Sequence, residues 1–320
     1  MDLLTIIGMF GFLYFSIRIY LIIISSKIKK INTKYVLITG CDGGFGKITA
    51  KRLHSKGVNV IAGCLTESGR DSLKQQGINS ILLNITSEDS IDKAVKIVQE
   101  ILPKGVGLWG LINNVEFLEL ALPNDWLSIL DYQRTMNVNV FGLINVTLKF
   151  LQLIKKEQGR IVNMANLAGR MAFEHLGPYS TSKYAIEGFS DSLRREMKKW
   201  NVSVHTIESD VFNARVINVE ESMTKRFHSL NDTIRNEYGE QYIKEYLTSY
   251  KISINLNTNK DVVPVIDAYV HAILSQYPKI RYTVGNKSIL YRFVNSHLPD
   301  CVTDFILKKI SKYPKPLRVQ

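Results

Sequence analysis

The 320-residue chain lacks the residues that would hold it together through disulfides or a structural metal. Its three cysteines, Cys41, Cys64 and Cys301, are too few for a disulfide framework, and no cysteine and histidine cluster has the spacing of a zinc site. Internal repeats and low-complexity segments are absent as well. Hydrophobic residues make up 45% of the chain and the mean hydropathy is -0.02, so a substantial core is expected and no metal site is predicted.

Acidic residues are scarce relative to basic ones: 29 Asp and Glu oppose 41 Lys and Arg, which gives a net charge of +12. The lysines do not form one long run with interleaved aromatic residues, so no nucleic-acid partner is predicted. Short lysine clusters instead flank apolar stretches near both ends of the chain, at 27–34 and at 308–312. This pattern favours attraction to an anionic membrane surface.

The first apolar stretch, Leu3–Ile24, has the length of a membrane-spanning helix and contains the polar residues Thr5, Ser16 and Arg18. A cleaved signal peptide is the second alternative, but the start lacks a basic region and no small-residue cleavage site follows. We therefore predict a membrane anchor over residues 1–25 and a basic linker over 26–34. The lysines after the span favour a cytosolic body by the positive-inside rule, whereas Asn-x-Ser/Thr sequons would suit a luminal one.

The stretch Tyr35–Gly46 organises the rest of the chain. Tyr35–Thr39 is rich in β-branched and aromatic residues and predicts a strand, glycines follow at positions 40, 43, 44 and 46, and Lys47–Lys56 has apolar residues at helical spacing. Glycines let a backbone approach a diphosphate closely, and a helix N-terminus offers free N–H groups and partial positive charge. An ordinary flexible turn is the alternative, but the flanking strand and helix favour a phosphate-binding unit.

After this turn, short apolar segments alternate with helical ones. Such segments, separated by helices, are typical of parallel strands that are covered on both faces. We predict an α/β fold with one doubly wound, Rossmann-like parallel sheet in a single domain over 35–285. The predicted strands are Tyr35–Thr39, Val58–Leu65, Ser80–Ile85, Leu108–Asn113, Arg160–Ala165, Val202–Glu208 and Arg281–Val284, and the later helices are Ser68–Gln76, Ser87–Leu102, Asp131–Leu153, Tyr179–Trp200 and Asp261–Gln276.

Two segments stand outside this alternation. An insertion over 213–259 would lie over the carboxyl ends of the strands, where ligands bind in such sheets, and is predicted to form a substrate lid. Packing of a peripheral helix pair is the alternative. Residues 286–320 predict an amphipathic tail that contacts a membrane, a dimer partner or the domain body. The aromatic residues of the lid region are Phe212, Phe227, Tyr238, Tyr242, Tyr246 and Tyr250.

A second motif, Tyr179-Ser180-Thr181-Ser182-Lys183, follows the glycine turn by roughly 130 residues. A tyrosine and a lysine four apart on a helix share one face, and a cation near a phenol favours the phenolate, which makes the tyrosine a usable acid/base. With both motifs, the chain resembles the short-chain dehydrogenase/reductase family. Three further motifs resemble the membrane-bound retinol and hydroxysteroid dehydrogenase branch of this family. They are Cys41-Asp42-Gly43-Gly44-Phe45-Gly46, Cys64-Leu65-Thr66-Glu67 and Asp191-Ser192-Leu193-Arg194-Arg195.

The resemblance implies hydride transfer between a lipophilic alcohol, a retinoid or hydroxysteroid, and its aldehyde or ketone, at the endoplasmic reticulum membrane. The implied cofactor is NAD, with NADP left open. Tyr179 would be the acid/base, Lys183 would lower its pKa and hold the nicotinamide ribose, and Asn139 would order a water in the proton relay. The cofactor contacts implied by the family are Thr39, Gly40, Gly44, Phe45, Gly46, Asn84, Asn113, Tyr179 and Lys183.

Several positions depart from the family pattern. Asn166 takes the place of the serine that holds the substrate oxygen, and its amide can donate a hydrogen bond but cannot relay a proton as a hydroxyl can. Glu116 and Asp210 replace glycines, Ala214 replaces a threonine that bonds the cofactor, and Asn84 replaces an aspartate near the adenine. Carboxylates at Glu116 and Asp210 are expected close to the diphosphate, where charges ~6 Å apart repel by a few kcal/mol.

These departures leave two interpretations of the chain. An active but weakened dehydrogenase is favoured, because Tyr179, Lys183, Asn139 and the glycine turn are all present together. The alternative is a catalytically degenerate relative that binds a lipid or a partner protein.

Overall fold

The computed structural model describes residues 16, 26–210, 219–257, 261–310 and 313–317. Its sheet contains β1 (Tyr35–Thr39), β2 (Asn59–Cys64), β3 (Asn79–Leu82), β4 (Gly110–Asn113), β5 (Arg160–Met164), β6 (Ser203–Ser209) and β7 (Arg281–Val284). These strands are parallel and lie in the order β3-β2-β1-β4-β5-β6-β7. The chain changes direction across the sheet between β1 and β4, and this switch point opens a crevice at their carboxyl ends. The predicted doubly wound sheet is therefore confirmed.

Helices connect the strands on both faces, and their ends lie within a few residues of the predicted ones. Ser87 starts one of them as predicted, because its side chain accepts a hydrogen bond from the N–H of Ser90. The helices are α1 (Gly44–His54), α2 (Glu67–Lys74), α3 (Glu88–Ile101), α4 (Ile129–Met136), α5 (Leu143–Lys156), α6 (Gly177–Met197), α7 (Val219–His228), α8 (Asp232–Tyr238), α9 (Glu240–Asn257), α10 (Val263–Leu274), α11 (Asn286–His297) and α12 (Asp300–Ile310).

Residues of the central strands alternate between two hydrophobic cores. Val36 and Ile38 of β1 face α1 and α10 in one core, whereas Leu37 and Ile61 face α3, α5 and α6 in the other. Because both faces are buried, β1 and β2 are apolar over most of their length. The carboxyl ends of the strands, which lie between these two helix layers, are thereby held rigidly for a site.

A continuous helical segment runs from Ile129 to Lys156 through α4, a π-helical turn over Asn137–Gly142 and α5. Among the described residues it alone is long and apolar enough to cross a membrane. However, Val146 and Phe150 are fully buried against the sheet, so we interpret it as a core helix of the domain. The anchor predicted over 1–25 lies outside the described residues apart from Ser16, and it stays a prediction.

The aromatic residues of the insertion pack mainly against one another. Phe227 and Tyr246 are fully buried, and the rings of Phe227, Tyr238 and Tyr242 lie 5.0–5.7 Å from Trp126, which follows β4. This cluster favours peripheral packing over lid lining for the residues described, and Phe212 lies outside them. The substrate lid therefore stays a prediction.

The basic linker and the tail are both ordered against the domain. The backbone of Ser26–Ile28 pairs with the end of α10, where Ile28 donates to Leu274 (2.9 Å) and Gln276 donates to Ser26 (2.8 Å). The tail forms α11 and α12 immediately after β7. The linker is therefore not a free spacer.

Candidate active site

The glycine turn after β1 leaves its backbone bare at the start of α1. Gly40 and Gly44 have φ angles of 71° and 52°, which disfavour any residue with a side chain. A Cβ on Gly46 would overlap the carbonyl oxygen of Gly40, whereas no heavy atom lies within 4 Å of a Cβ placed on Gly43 or Gly44. Phe45 packs on the core beside them. The open turn and the helix N-terminus fit a diphosphate.

Asn114 holds this turn, and the sequence analysis missed it. Its Nδ2 donates to the carbonyl oxygens of Thr39 (3.0 Å) and Gly40 (3.3 Å), and its backbone N–H donates to Thr39 Oγ1 (3.0 Å). Thr39 is 2% exposed, so its hydroxyl is used inside the protein rather than in the groove. The signal in the sequence was the asparagine pair that begins with Asn113 at the end of β4, of which Asn114 is the second member.

Asn113 ends β4 with its side chain buried in the interior, and its contact with the cofactor stays a prediction. Its Nδ2 donates to Thr147 Oγ1 and to Asn163 Oδ1, both at 2.9 Å, and it therefore links β4 to β5 and α5. Asn84 is exposed at the end of β3, where its Oδ1 accepts from the N–H (3.0 Å) and the Oγ1 (2.8 Å) of Thr86. Its role near the adenine stays a prediction.

A carboxylate does stand at the carboxyl end of β2, but it comes from the glycine turn. Asp42 accepts from the N–H groups of Leu65 (2.7 Å) and Thr66 (2.9 Å) and from Thr66 Oγ1 (2.6 Å). Partial burial raises its pKa, but these hydrogen bonds outweigh burial and hold the pKa of Asp42 below its ordinary value. The acidic residue that follows β2 in the sequence, Glu67, begins α2 instead. The charge at this end of the groove therefore arises across the fold.

Tyr179 and Lys183 lie one turn apart on α6, as their spacing predicted. Gly177 and Pro178 start this helix, where the missing N–H of proline is tolerated. The Nζ of Lys183 lies 5.2 Å from the centroid of the Tyr179 ring and donates to the carbonyl of Met164 at 3.1 Å. Lys183 is fully buried and Tyr179 is 5% exposed, so both groups act in a site that excludes water.

Asn139 is carried by the π-helical turn, a distortion that often marks functional positions. Its Oδ1 accepts from the N–H of Phe117 (2.8 Å), and its Nδ2 donates to the Phe117 carbonyl (2.9 Å) and to Ser182 Oγ (3.0 Å). Asn139 therefore fixes the loop after β4 to the residue that precedes Lys183. Its predicted contact with a relay water stays a prediction.

Glu116 contacts both Tyr179 and Lys183, whereas it was expected to lie beside the diphosphate. The hydroxyl of Tyr179 donates to Glu116 Oε1, and Lys183 Nζ lies 3.4 Å from Glu116 Oε2. The Glu116 side chain is 30% exposed, so it reaches the buried pair from the groove. The residues that the family assigns to the nicotinamide ribose do not fit that ribose while Glu116 stays in place.

Burial and the neighbouring Glu116 both act on the pKa of Tyr179. Burial raises the pKa of this phenol well above its ordinary value, and the charge of Glu116, which accepts a hydrogen bond from it, raises the pKa further. Burial lowers the pKa of Lys183, against the attraction of Glu116. That Lys183 lowers the pKa of Tyr179 stays a prediction, because Glu116 contacts both groups in this arrangement.

Asn166 shapes the turn after β5. Its φ of 63° and ψ of 161° lie in a backbone region that residues with a side chain rarely adopt, and its Oδ1 accepts from the N–H of Ala168 at 3.0 Å. Its Nδ2 lies 3.4 Å from Ser209 Oγ. Asn166 therefore closes a turn with the oxygen of its amide, and its contact with a substrate oxygen stays a prediction.

Asp210 points away from the groove, which corrects the second expected repulsion. Its carboxylate accepts from Ser288 Oγ, its N–H donates to the carbonyl of Val284 (3.0 Å), and it is 7% exposed. A Cβ on Gly285 would overlap this carboxylate, so Asp210 packs closely against the start of α11. Ala214 lies outside the described residues.

Comparison with known proteins identifies the family of this site. Residues 34–224 match the family model described as short chain dehydrogenase. The chain belongs to the short-chain dehydrogenase family. It is 42% identical to dehydrogenase/reductase SDR family member 9 of Bos taurus, over 88% of this chain and 90% of that protein. It is 37% identical to retinol dehydrogenase 16 of Rattus norvegicus and 35% identical to 17-beta-hydroxysteroid dehydrogenase type 6 of Homo sapiens, in each case over 90% of this chain and 92% of the relative.

A solved structure supports the fold independently of close sequence identity. A short-chain dehydrogenase from Burkholderia cenocepacia in complex with NADP superposes with a TM-score of 0.64, 18% identity, and coverage of 88% of this chain and 98% of that one. The predicted family and its class of chemistry, an NAD(P)-dependent dehydrogenase, are confirmed by these matches. The choice between NAD and NADP is not decided by them.

Proposed function

We propose that this protein is a membrane-associated, NAD-dependent dehydrogenase that interconverts a lipophilic alcohol, a retinoid or hydroxysteroid, and its aldehyde or ketone. The observation that carries the proposal is the buried Tyr179–Lys183 pair at the carboxyl edge of the sheet that also bears the open glycine turn. The names of the relatives, a retinol dehydrogenase and a hydroxysteroid dehydrogenase, support the substrate class.

In the oxidation direction, the nicotinamide supplies the acceptor for the hydride of the alcohol. Tyr179 takes the hydroxyl proton of the substrate, so that the carbon–oxygen bond becomes a carbonyl. Lys183 stabilises the negative form of Tyr179 when Glu116 does not neutralise it. Asn139 keeps α6 and the loop after β4 in register around this proton transfer.

Asp42 supports NAD over NADP. Its carboxylate stands at the end of β2, where sheets of this kind bind the adenine ribose. A 2′-phosphate beside this charge would be repelled, whereas a 2′-hydroxyl would not. Arg70, the arginine that lies nearest in sequence to the end of β2, is itself paired with Asp71 at 2.8 Å.

The tail supports contact with a membrane. Ile289, Leu290, Phe293 and Phe305 of α11 and α12 are each more than half exposed, and Lys309 Nζ lies 4.6 Å from the Phe305 ring. An apolar surface with a basic margin suits a membrane interface, from which lipophilic substrates partition into a site. A second copy of the chain is the other partner of suitable chemistry. Anchorage in the endoplasmic reticulum membrane with a cytosolic body is part of this proposal.

Full-length protein in detergent or vesicles tests the function. NADH binding is measured by fluorescence, followed by oxidation of retinol and of a 3-hydroxysteroid, with a short polar hydroxy acid as the control substrate. The expected result is NADH binding and turnover of the lipophilic alcohols alone. A folded protein that binds neither NADH nor NADPH at millimolar concentration would favour the catalytically degenerate alternative. Release of the uncleaved chain by carbonate extraction would refute the anchor.

A further inference from the structure

Both oxygens of Glu116 are engaged with the two groups on which the proposed chemistry depends. One accepts a hydrogen bond from the hydroxyl of Tyr179, and the other lies 3.4 Å from the ammonium of Lys183. Among the described residues, that ammonium also donates a hydrogen bond to the Met164 carbonyl at 3.1 Å. A buried cation with one neutral acceptor attracts any carboxylate within reach.

The loop after β4 brings Glu116 within reach and holds it there. The next residue, Phe117, makes two backbone hydrogen bonds with the amide of Asn139, at 2.8 and 2.9 Å. These bonds fix the backbone beside Glu116, while its side chain remains 30% exposed. The carboxylate can therefore leave the pair for solvent without any movement of the loop.

We propose that Glu116 is an intramolecular competitor of the cofactor, a carboxylate that takes the place of the nicotinamide ribose on Lys183 and Tyr179 and must be displaced before the pair can act. The inference rests on the proposed function, because it needs a nucleotide that uses this pair. With Glu116 in place, Lys183 is neutralised and the phenol of Tyr179 keeps its proton, so the site is idle. Binding at the diphosphate turn alone does not release it.

A competitor of this kind weakens apparent affinity by the fraction of molecules in which it is bound. If nine molecules in ten hold Glu116 on the pair, the apparent Kd for the nucleotide is about tenfold weaker than the intrinsic one. Removing the carboxylate therefore strengthens binding, which is the opposite of what removal of a contact residue does.

The test uses Glu116→Gly and Glu116→Gln in full-length protein, with the Kd for NADH measured by fluorescence. Glu116→Gly is expected to tighten binding by about tenfold, and Glu116→Gln by less, since the amide keeps the size and one acceptor. Glu119→Gln is the matched control. Its carboxylate lies on the same loop but pairs with Arg134 at 3.3 Å, so its Kd should equal that of the wild type.

Added formate gives a second measurement, which tests whether the place beside Tyr179 and Lys183 binds a carboxylate. In Glu116→Gly, formate should occupy the vacated place and weaken NADH binding, whereas chloride at equal ionic strength should not. Unchanged or weaker NADH binding in both folded Glu116 variants, with a binding wild type, would overturn the inference and leave the proposed function intact. Absence of binding in all variants would overturn both. Binding that appears only in the Glu116 variants would support the inference.

Discussion

Two carboxylates at equivalent places in the sheet behave in opposite ways. Glu116 and Asp210 each follow a strand at its carboxyl end, and each stands where the family has glycine. Glu116 turns into the site and binds Tyr179 and Lys183. Asp210 turns away from the groove and binds Ser288 at the start of α11. The same kind of substitution therefore places a carboxylate on the candidate acid/base pair at one strand end and against a helix start at the other.

The difference teaches that the hydrogen-bond donors within reach decide where a carboxylate at a strand end turns. For Glu116 one such donor is a buried ammonium, whose desolvation is offset by a negative partner. For Asp210 it is a hydroxyl at a helix N-terminus, where the helix dipole also favours negative charge. Four experiments break or sharpen this comparison, from the largest expected effect to the smallest.

Tyr179→Phe removes the donor that Glu116 binds and the acid/base of the site. Turnover of the lipophilic alcohol is expected to fall by about 10³-fold, within the range of general acid–base catalysis, while the melting temperature changes little. Steady-state kinetics measure the effect. Tyr184→Phe, a half-exposed tyrosine on the same helix, is the control and should keep wild-type turnover. Undiminished turnover in Tyr179→Phe would contradict the assignment of Tyr179 as the acid/base, and with it the assignment of Glu116 to the active site.

His205 lies on β6, the strand that Asp210 follows. A variant of His205 tests whether the sensitivity of the fold to acid arises from this histidine or from the contact of Asp210. Burial lowers the pKa of His205 to about 4, with Nδ1 on the Lys279 carbonyl (2.6 Å) and Nε2 near Ser203 Oγ (2.8 Å). Because the folded pKa lies below the unfolded one near 6.5, the stability is complete above that pH and is lost as the pH falls toward 4, by about 3 kcal/mol.

Denaturant unfolding at pH 7, 6, 5 and 4 measures this loss. His205→Gln should reduce it by most of that amount, although His175, whose pKa burial also lowers to about 4, keeps its own share. The exposed His54→Gln is the control and should follow the wild type. An acid-induced loss that vanished in Asp210→Asn instead would place the sensitive group at the strand end.

Asp210→Ala tests the carboxylate that lies away from the groove. The loss of a buried, charge-assisted hydrogen bond should lower the free energy of unfolding by about 2 kcal/mol, with NADH affinity unchanged. Asp300→Asn, an exposed acid at the start of α12, is the control and should cost about 0.5 kcal/mol. Tighter NADH binding in Asp210→Ala would contradict the comparison, because it would mean that both carboxylates oppose the cofactor.

Asn166→Ser has the smallest expected effect. A hydroxyl at this position should raise turnover by about tenfold, since the loss of a donor to a substrate oxygen costs 10²–10³-fold and the amide already restores a part. The melting temperature should fall, because serine lacks the amide oxygen that accepts from the N–H of Ala168. Ala165→Ser, which adds a hydroxyl one residue earlier, is the control. Equal turnover in the wild type and Asn166→Ser would leave Asn166 with its structural role alone.

Much of the fold was predictable because its signals are local. The bounds of β1 and β7 match the predicted strands, since strand periodicity and glycine turns lie within a few residues of one another. The π-helical turn at Asn137–Gly142 was not predictable, because its sequence has the periodicity of an ordinary helix. The burial of Trp126 among the rings of α7–α9 was also missed, since it joins segments far apart in the chain.

The sequence by itself determined that Tyr179 and Lys183 share a helix face and that the glycine turn precedes a helix, because both follow from spacing. Only the tertiary structure decided which donors the substituted carboxylates meet. Tyr179 and Glu116 are 63 residues apart, and Ser288 and Asp210 are 78 apart. A side chain turns toward the partner that best offsets its desolvation, and the folding of distant strands and helices against one another sets that choice.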